Sequence, residues 1–401
     1  MVDLESLYRR TLQACAPEAI VRGAVEVSMP RNVVAIGKCA GRMVAGVDFD
    51  RGFVVVPKGY PRPDPSPSPR LRMTIGGHPD IDDDSFRAGE QLLEFVDQAG
   101  DVLFLISGGG SACVEVPLPP FTQEEIATMN TRLVASSLPI GAINTVRKHL
   151  SAIKGGRLAA RVHGRSVTLV YSDVSTGAIG DVASGPTVAD HTTNADAARI
   201  LERLGGCEPI VTKLRAESTP DTVRRIDHAT ARVIADNATL TSTAASLVRE
   251  AGYVAVMWPR QIEEDVDDAA RLLAERSDTL RENEVLIAGG EPTVERRGPG
   301  KGGRCCELAV RFAMRSTNEA LFGTSDGVDG SSGVAAIDVG PALQPAPGRL
   351  RVGPTLLQLL ATSDSLAAAL QIGRAVIIPP TGNNLRDLFL VAGVNRRMAH
   401  H

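Results

Sequence analysis

The chain has 401 residues, a formal net charge of −4, 43% hydrophobic residues and only 3% aromatic residues. This length predicts two domains, and the composition is that of a globular α/β protein. The scarcity of aromatic residues and the lack of a long basic run argue against a nucleic-acid partner, although a small anionic substrate is compatible with the charge.

The first ten residues, MVDLESLYRR, carry charges and lack the apolar stretch of a signal peptide. The longest apolar runs, such as residues 102–106, have the length of a strand and are too short to cross a membrane. We therefore expect a cytoplasmic protein. Its six cysteines are scattered without C-x-x-C spacing, which argues against structural zinc and predicts buried free thiols.

Apolar runs of strand length alternate with segments of helical periodicity along the chain. In the first half, the pattern predicts strands at 32–37, 52–57, 101–106 and 166–173, and helices at 39–47, 84–96, 121–137, 144–159 and 195–205. In the second half, it predicts strands at 231–237, 253–258, 284–292 and 375–380 and one ending at 326, with helices at 238–252 and 265–280 and one from 307.

This alternation is typical of doubly wound α/β folds, in two blocks. A charged linker at 219–230 separates the blocks and predicts an N-terminal domain at 1–230 and a C-terminal domain at 231–401. The proline-rich segment 61–69 is a predicted loop, and its sequence does not distinguish a lid from an inert connector.

Four glycine-rich polar loops follow predicted strands, which is where open α/β sheets bind ligands. They lie at residues 107–111, 172–187, 298–307 with the preceding GGE at 289–291, and 325–333. The three successive glycines of SGGGS in the first loop allow backbone N–H groups to converge on an anion, and a plain tight turn is the alternative. In the second loop, Asp173 stands at a strand end, where it could meet a metal-bound phosphate.

In the fourth loop, Asp326 and Asp329 could hold Mg²⁺. A pair of Asx-turns explains the same two residues, and the sequence alone slightly favours that alternative.

Two basic segments add to these candidates. Lys38 follows a predicted strand within AIGKCAG, which lacks the G-x-G-x-x-G fingerprint and therefore disfavours a dehydrogenase. The predicted helix 144–159 would place Arg147, Ser151 and Lys154 on one face. Two glycines at 155–156 would cost that helix about 1 kcal/mol each, which suggests a close backbone approach there.

The stretch GPGKGGRCCE at 298–307 is either a phosphate loop or a redox device. Adjacent Cα atoms lie about 3.8 Å apart, below the roughly 4.4 Å minimum usual in disulfides. We therefore favour the phosphate loop.

Taken together, these segments resemble the glycerate 2-kinase family, a group of ATP-dependent kinases formerly described as hydroxypyruvate reductases. The resemblance runs almost end to end and rests on AIGKCAGRM, GGHPDIDDDS, LISGGGSA, NTVRKHLSAIKGG, SDVSTG followed by DVASGPT, IAGGEPTV, GKGGR followed by E, SDGVDG and PTGNNLRDL, in the family's order.

The resemblance implies an α/β protein with an N-terminal Rossmann-like three-layer domain, a smaller C-terminal MOFRL-like α/β domain and an active site in the cleft between them. It implies transfer of the γ-phosphoryl group of ATP, with Mg²⁺, to the 2-hydroxyl of D-glycerate. Lys38 and Arg304 match the residues thought to act on the phosphate, and we add Asp173 as a third catalytic candidate. A homodimer is compatible with the sequence.

Further residues of these segments are expected to bind the acid or the nucleotide, and the sequence does not say which loop takes which. They are Ser107, Gly108, Gly109, Gly110, Ser111, Arg147, Lys148, Lys154, Ser184, Gly185, Glu291, Lys301 and Asn384.

The chain departs from the family pattern at several polar positions. Cys305 and Cys306 replace a usual Asn-Gln pair, Asn383 and Arg386 replace threonine and asparagine, and TSDSLAAA at 362–369 replaces Asn-Asp-Ser with an aromatic residue. We hypothesise that the phosphoryl-transfer residues persist while substrate choice has shifted. The alternatives are a kinase for a related hydroxy acid and an inactive ligand-binding relative.

Overall fold

The computed structural model describes residues 2–60, 69–175, 177–340 and 354–393, so the proline-rich segment lies almost wholly outside the described residues. The chain forms two compact units. We call Pro17–Ile234 the N-terminal unit, and Met1–Ala16 together with Ala235–His401 the C-terminal unit.

The first helix, α1 (Leu4–Ala14), belongs to the C-terminal unit, although the sequence pattern assigned it to the N-terminal domain. Its buried face includes Leu7, Tyr8 and Leu12, and the Tyr8 hydroxyl donates a hydrogen bond to the carbonyl of Thr324 at 2.6 Å. The helix covers the C-terminal sheet, so burial of its apolar face decides which unit it joins.

The N-terminal unit is built on a six-stranded sheet. Its strands are β1 (Asn32–Ile36), β2 (Arg51–Pro57), β3 (Leu71–Gly76), β4 (Val102–Ser107), β5 (Ser166–Tyr171) and β6 (Ala229–Ala235). Its helices are α2 (Pro17–Ala24), α3 (Ala40–Val44), α4 (Asp83–Asp97), α5 (Gly110–Cys113), α6 (Gln123–Val134), α7 (Ile140–Leu150), α8 (Arg157–Ala160), α9 (Asn194–Leu204) and α10 (Glu208–Arg215).

The strand order is β3-β2-β1-β4-β5-β6, and the pairs from β3 to β5 are parallel. Every residue of β4 is buried, as expected for a parallel strand covered on both faces. This is the order of a Rossmann fold, which confirms the predicted fold class. The order reverses between β1 and β4, so the loops after these two strands meet at the ligand-binding edge of the sheet.

The segment 144–159 is not the continuous helix that we predict from its periodicity. Helix α7 ends at Leu150, and α8 begins only at Arg157. Between them Gly155 and Gly156 have φ of 58° and 82°, in the left-handed region that favours glycine. The two glycines therefore serve a turn that breaks the helix.

The C-terminal unit contains a second six-stranded sheet, ordered β11-β10-β9-β12-β8-β7. Its strands are β7 (Val254–Met257), β8 (Glu284–Gly290), β9 (Ala320–Thr324), β10 (Ala336–Val339), β11 (Arg374–Val376) and β12 (Asp387–Ala392). Its further helices are α11 (Asn237–Glu250), α12 (Val266–Ser277), α13 (Arg304–Ala313), α14 (Pro354–Ala361) and α15 (Ser365–Ala369).

This second sheet is mixed, and the prediction of a doubly wound parallel block is wrong here. Only β7 and β8 pair in parallel, and the other neighbours are antiparallel. The reason is two strands that our pattern analysis missed. β12 enters between β8 and β9, antiparallel to both, and β10 lies antiparallel to β9 and β11. None of the described helices is long and apolar enough to span a membrane.

Candidate functional site

The loops after β1 and β4 are joined by backbone hydrogen bonds. The Lys38 N–H donates to the Gly108 carbonyl at 2.8 Å, and the Cys39 N–H donates to Ser107 Oγ at 3.1 Å. Gly37 has φ of 115°, and a Cβ there would lie 2.5 Å from the Ser107 carbonyl oxygen. Glycine is therefore required at this position, where the SGGGS loop and the backbone around Lys38 are in direct contact.

The Lys38 side chain is half-buried and lies over this glycine loop. A Cβ on Gly109 would be 2.9 Å from Lys38 Cγ and 3.2 Å from His78 Cδ2. The ammonium stands 5.5 Å from the ring centroid of Tyr60. Across the described part of the chain, no carboxylate forms an ion pair with Lys38. A half-buried cation without a paired anion suits an anionic ligand.

Asp173 lies at the same edge, just after β5. Any Cβ at Gly108 would overlap the Asp173 carboxylate, so this carboxylate packs directly against the glycine loop. The structure thus brings together Lys38, Gly108 and Asp173, which the sequence predicts from three separate strand ends. Residues from adjacent parallel strands meet in this way because their carboxyl ends share one edge.

The serines of two loops are linked by hydrogen bonds. Ser111 Oγ lies 2.8 Å from Ser184 Oγ, which donates to Asn144 Oδ1 at 2.9 Å. Ala183 and Ser184 have φ of 52° and 58°, and Gly185 follows at 59°. Non-glycine residues in this region cost about 1–2 kcal/mol each and concentrate at functional sites. Asn144 is a site residue that our sequence analysis did not single out.

Arg147 is a second cation without a carboxylate partner among the described residues. Its guanidinium donates to Asn130 Oδ1 from Nη2 at 2.7 Å and from Nε at 3.2 Å. Burial lowers the pKa of Arg147 from its ordinary value. A neutral amide thus orients the guanidinium and leaves its charge available to an anionic ligand.

Two other predicted anion-binding cations are engaged in ion pairs. Lys148 Nζ lies 2.9 Å from Asp190 Oδ1, and the two side chains are 9% and 7% exposed. Lys154 pairs with Glu115, and these side chains are 1% and 2% exposed. Burial lowers the pKa of the Lys154 ammonium. Their charges are compensated within the protein, so the geometry supports a role in holding the loops in place.

Arg304, the first residue of α13, is clamped by two carboxylates in the C-terminal unit. Its Nε and Nη2 donate to Asp387 at 2.5 and 3.1 Å, and its Nη1 lies 2.9 Å from Glu291 Oε1. A guanidinium has five N–H donors, so two remain for a ligand. The side chain is 31% exposed, which leaves those donors accessible.

Asp387 is the principal residue that the sequence analysis missed. It opens β12, is fully buried, and burial raises its pKa to about 6 although Arg304 opposes the shift. The available signal was an acidic residue immediately before the apolar run LFLVA.

Arg386 precedes Asp387 and extends the charge network. Its Nε donates to Glu291 Oε2 at 3.0 Å, and its Nη1 donates to Glu263 Oε1 at 2.9 Å. Glu291 therefore bridges Arg386 and Arg304. The side chains of Glu263, Glu291, Arg304 and Arg386 line a pocket of about 490 Å³, which is large enough for a small organic acid.

Cys305 and Cys306 lie in the hydrophobic core of the C-terminal unit, and both are fully buried. All six cysteines are free, which confirms the predicted buried thiols. Burial raises the pKa of both thiols, so they remain protonated at neutral pH. Their backbone N–H groups donate to the Asp329 carboxylate at 3.1 and 2.8 Å.

Asp329 thus caps the N-terminus of α13, and Asp326 forms an Asx-turn. Asp326 Oδ1 accepts hydrogen bonds from the Thr324 hydroxyl and from the Val328 N–H, both at 3.0 Å. Within the described ranges, no group of three or more His, Cys, Asp or Glu residues is placed to hold a metal ion. The geometry therefore favours the Asx-turn for Asp326 and does not favour a metal cage.

The loop 298–303 packs against the turn that precedes α15. A Cβ on Gly302 would overlap Ser365 Oγ, and a Cβ on Gly300 would collide with the backbone of Asp364. These glycines permit close packing. Lys301 is exposed, and Asn384 is half-buried in the segment before β12.

Comparison with known proteins identifies the family. A domain of unknown function (DUF4147) matches residues 3–216, and the MOFRL family matches residues 284–387. D-glycerate 2-kinase of Thermotoga maritima is 32% identical over an alignment of 419 residues, gaps included, which covers 97% of this chain and 99% of the relative. Glycerate 2-kinase of Pyrococcus horikoshii is 30% identical over 421 residues, covering 97% and 94%.

A crystal structure of glycerate kinase from Thermotoga maritima is similar over the whole fold, with a TM-score of 0.85 at 30% identity. The similarity covers 97% of this chain and 98% of that chain. Sequence motifs, fold and relatives therefore agree, and the chain belongs to the glycerate 2-kinase family.

Proposed function

We propose that the protein transfers the γ-phosphoryl group of ATP to the 2-hydroxyl of D-glycerate, giving 2-phosphoglycerate and ADP. The observation that carries this proposal is the half-buried ammonium of Lys38, which lies over the SGGGS loop with no carboxylate partner in the described part of the chain. The names of relatives that match nearly the whole chain support the choice of reaction and acceptor.

Lys38 and Arg304 are proposed to stabilise the transferring phosphoryl group. Phosphoryl transfer passes through a loose transition state, so positioning and charge stabilisation supply most of the catalysis. The lysine offers a point charge, and the two remaining N–H groups of Arg304 offer directional hydrogen bonds. As the acceptor oxygen bonds to phosphorus, the bond to ADP breaks and Asp173 takes the hydroxyl proton.

The remaining candidates divide into ligand-binding and supporting residues. The SGGGS backbone and Arg147 are proposed to bind an oxyanion, and Ser184 orients Ser111 through their hydrogen bond. Gly185, Glu291 and Asn384 stay in the proposed site, and the exposed Lys301 is the weakest candidate. Lys148 and Lys154 are proposed to hold the surrounding loops through their buried ion pairs.

Mg²⁺ is proposed to enter as the Mg–ATP complex, where it neutralises phosphate charge. The carboxylates of Asp326 and Asp329 accept hydrogen bonds from the protein, and the described residues form no cluster suited to a metal. Mg²⁺ usually keeps several waters and binds through substrate phosphates with one or two carboxylates. The phosphates of ATP are therefore its expected principal ligands.

A kinase for a larger or more acidic hydroxy acid is the second candidate. The pocket of about 490 Å³ contains both Arg304 and Arg386. D-glycerate carries a single carboxylate. Carboxylates of the protein already pair with both arginines, so a second acid group on the acceptor would have to use their remaining N–H donors.

The test is ADP release with Mg–ATP and a panel of D-glycerate, L-glycerate, tartronate and longer sugar acids. We expect D-glycerate to be turned over, with ³¹P spectra identifying the 2-phosphate, and Lys38→Met and Arg304→Ala to abolish turnover. The exposed Lys58→Met and Arg276→Ala are matched controls that should keep full activity. Turnover of tartronate alone would favour the second candidate. If no acid in the panel is phosphorylated, both candidates are contradicted.

A further inference from the structure

His78 lies beside Lys38 in the N-terminal unit, two residues after the end of β3. The Cβ position of Gly109 is 3.2 Å from His78 Cδ2 and 2.9 Å from Lys38 Cγ. The two side chains therefore flank the same glycine of the SGGGS loop. The imidazole also meets the edge of the Tyr60 ring, with the centroids 6.0 Å apart.

The half-buried imidazole of His78 makes no hydrogen bond to any residue that the structure describes. His149 of the same unit differs, because its ring nitrogens lie 2.7 Å from Asn194 Oδ1 and 3.0 Å from Thr192 Oγ1. The ring nitrogens of His78 are not among the fully buried polar atoms that lack a partner, so they are open to solvent. An accessible imidazole that has no partner among the described residues, beside a proposed catalytic lysine, suits a ligand.

The surroundings of His78 are positively charged. Burial and the charges of Lys38 and Arg147 lower its pKa to about 4, while Asp80 opposes the shift. The ring is therefore neutral at pH 7 and offers one N–H donor and one acceptor. Two cations that have no carboxylate partner among the described residues attract an oxyanion to this position, and the neutral imidazole can donate a hydrogen bond to it.

We propose that the imidazole of His78 hydrogen-bonds directly to an oxyanion of the substrates next to Lys38. This oxyanion is either the carboxylate of the hydroxy acid or a phosphate of ATP. The proposal deepens the proposed function and rests on it for the identity of the oxyanion. His78 is a binding residue that directs the oxyanion without adding a charge.

The test compares His78→Phe, which keeps the ring packing, with His78→Gln, which keeps a neutral N–H donor. KM for D-glycerate and KM for ATP are measured separately, and thermal unfolding checks the fold. His78→Phe should raise one KM by about 10- to 100-fold, the effect of losing a hydrogen bond to a charged group. His78→Gln should restore most of the affinity. The exposed His163→Phe is the control and should change neither KM.

The substrate whose KM rises identifies the oxyanion. If His78→Phe leaves both KM values within about twofold of wild type, the proposal is overturned, because losing a hydrogen bond to a charged group has a larger effect. Equal losses in both variants, with a lowered unfolding midpoint, would also overturn it by showing a structural role. If the wild type fails to turn over D-glycerate, the proposed function fails, and calorimetric binding of inorganic phosphate then decides the role of His78. Weaker binding by His78→Phe would support the proposal, and equal binding would contradict it.

Discussion

Asp387 holds the guanidinium of Arg304 by two parallel hydrogen bonds, Nε to Oδ2 at 2.5 Å and Nη2 to Oδ1 at 3.1 Å. Asp387 is fully buried, whereas Arg304 is 31% exposed. One edge of the guanidinium is therefore fixed by the core of the C-terminal unit. Such two-point pairing sets the orientation of an arginine more tightly than a single contact does.

Replacing Asp387 with asparagine should release the guanidinium of Arg304 from this fixed orientation. An amide of the same size accepts only one of the two hydrogen bonds and turns an N–H donor toward the guanidinium. We expect kcat to fall by about 10- to 100-fold and the free energy of unfolding to fall by about 1–3 kcal/mol, measured by initial rates and urea denaturation. The control is Asp338→Asn, which removes an ion pair with the exposed Arg374. It should lower the free energy of unfolding by no more than about 1 kcal/mol. Unchanged kcat in Asp387→Asn would show that Arg304 needs no such support.

The raised pKa of Asp387, about 6, also predicts a pH dependence of activity. Below that pH the carboxyl is protonated in the folded protein and loses its charge toward Arg304, so kcat/KM should fall as the pH drops through 6. Asp387→Asn should lack this inflection, and the comparison removes ionisations of the substrates themselves. If kcat/KM falls at low pH in the same way in both proteins, the inflection does not belong to Asp387.

The same shift has the opposite effect on stability. Because the folded pKa lies above the usual value near 3.9, the folded state binds more protons than the unfolded state between about pH 4 and 6. The contribution of Asp387 to the free energy of unfolding therefore decreases as the pH rises through this window. Urea denaturation of wild type and Asp387→Asn at pH 4.5 and 7 measures the difference.

Gly108→Ala should inactivate the enzyme through Asp173. The added Cβ would overlap the Asp173 carboxylate, so either the SGGGS loop or the carboxylate must move. Displacements of about 1 Å in a catalytic group can cost about 100-fold in rate, and we expect a loss of at least that size in kcat/KM. Gly141→Ala is a matched control, because nothing lies within 4 Å of its added Cβ. An active Gly108→Ala enzyme would remove Asp173 from the proposed mechanism.

Four strands of the N-terminal unit, β1, β2, β4 and β5, were predictable because they are buried on both faces and read as continuous apolar runs. The half-exposed edge strand β3 lacks such a run and was missed. The glycines after β1 and β4 mark a close backbone approach. The position of Lys38 beside the SGGGS loop follows from the topology, since β1 and β4 are neighbours where the strand order reverses.

The features that were not predicted depend on contacts between residues that are distant in sequence. The periodicity of 144–159 suggested one helix, but left-handed backbone at Gly155 and Gly156 breaks it. The sequence predicted that Lys154 binds the acid or the nucleotide, but the buried carboxylate of Glu115 pairs with it. The role of Asp387 depends on β12 entering the sheet between β8 and β9, a pairing that no local pattern reveals.

The cysteine pair should affect stability without changing substrate choice. Cys305 and Cys306 are fully buried in the core and line neither the pocket of about 490 Å³ nor the neighbouring one of about 350 Å³. We expect Cys305→Ser to lower the free energy of unfolding by about 1–3 kcal/mol, because it buries a hydroxyl in an apolar site. Cys306→Ser should lower it less, because Asp329 and Ser332 can hydrogen-bond to a hydroxyl there. The ratio of kcat/KM for D-glycerate to that for tartronate should stay within about twofold of wild type, less than the effect of losing one hydrogen bond.

Arg386→Asn is the informative comparison for substrate choice, because Arg386 lines the pocket and contacts Glu291. If the cysteine variants shift the ratio while Arg386→Asn does not, the thiols influence the substrate through the Asp329 cap on α13. The reverse result assigns substrate choice to the pocket arginine. Native-state alkylation provides an independent check, since buried protonated thiols should react with iodoacetamide only after unfolding.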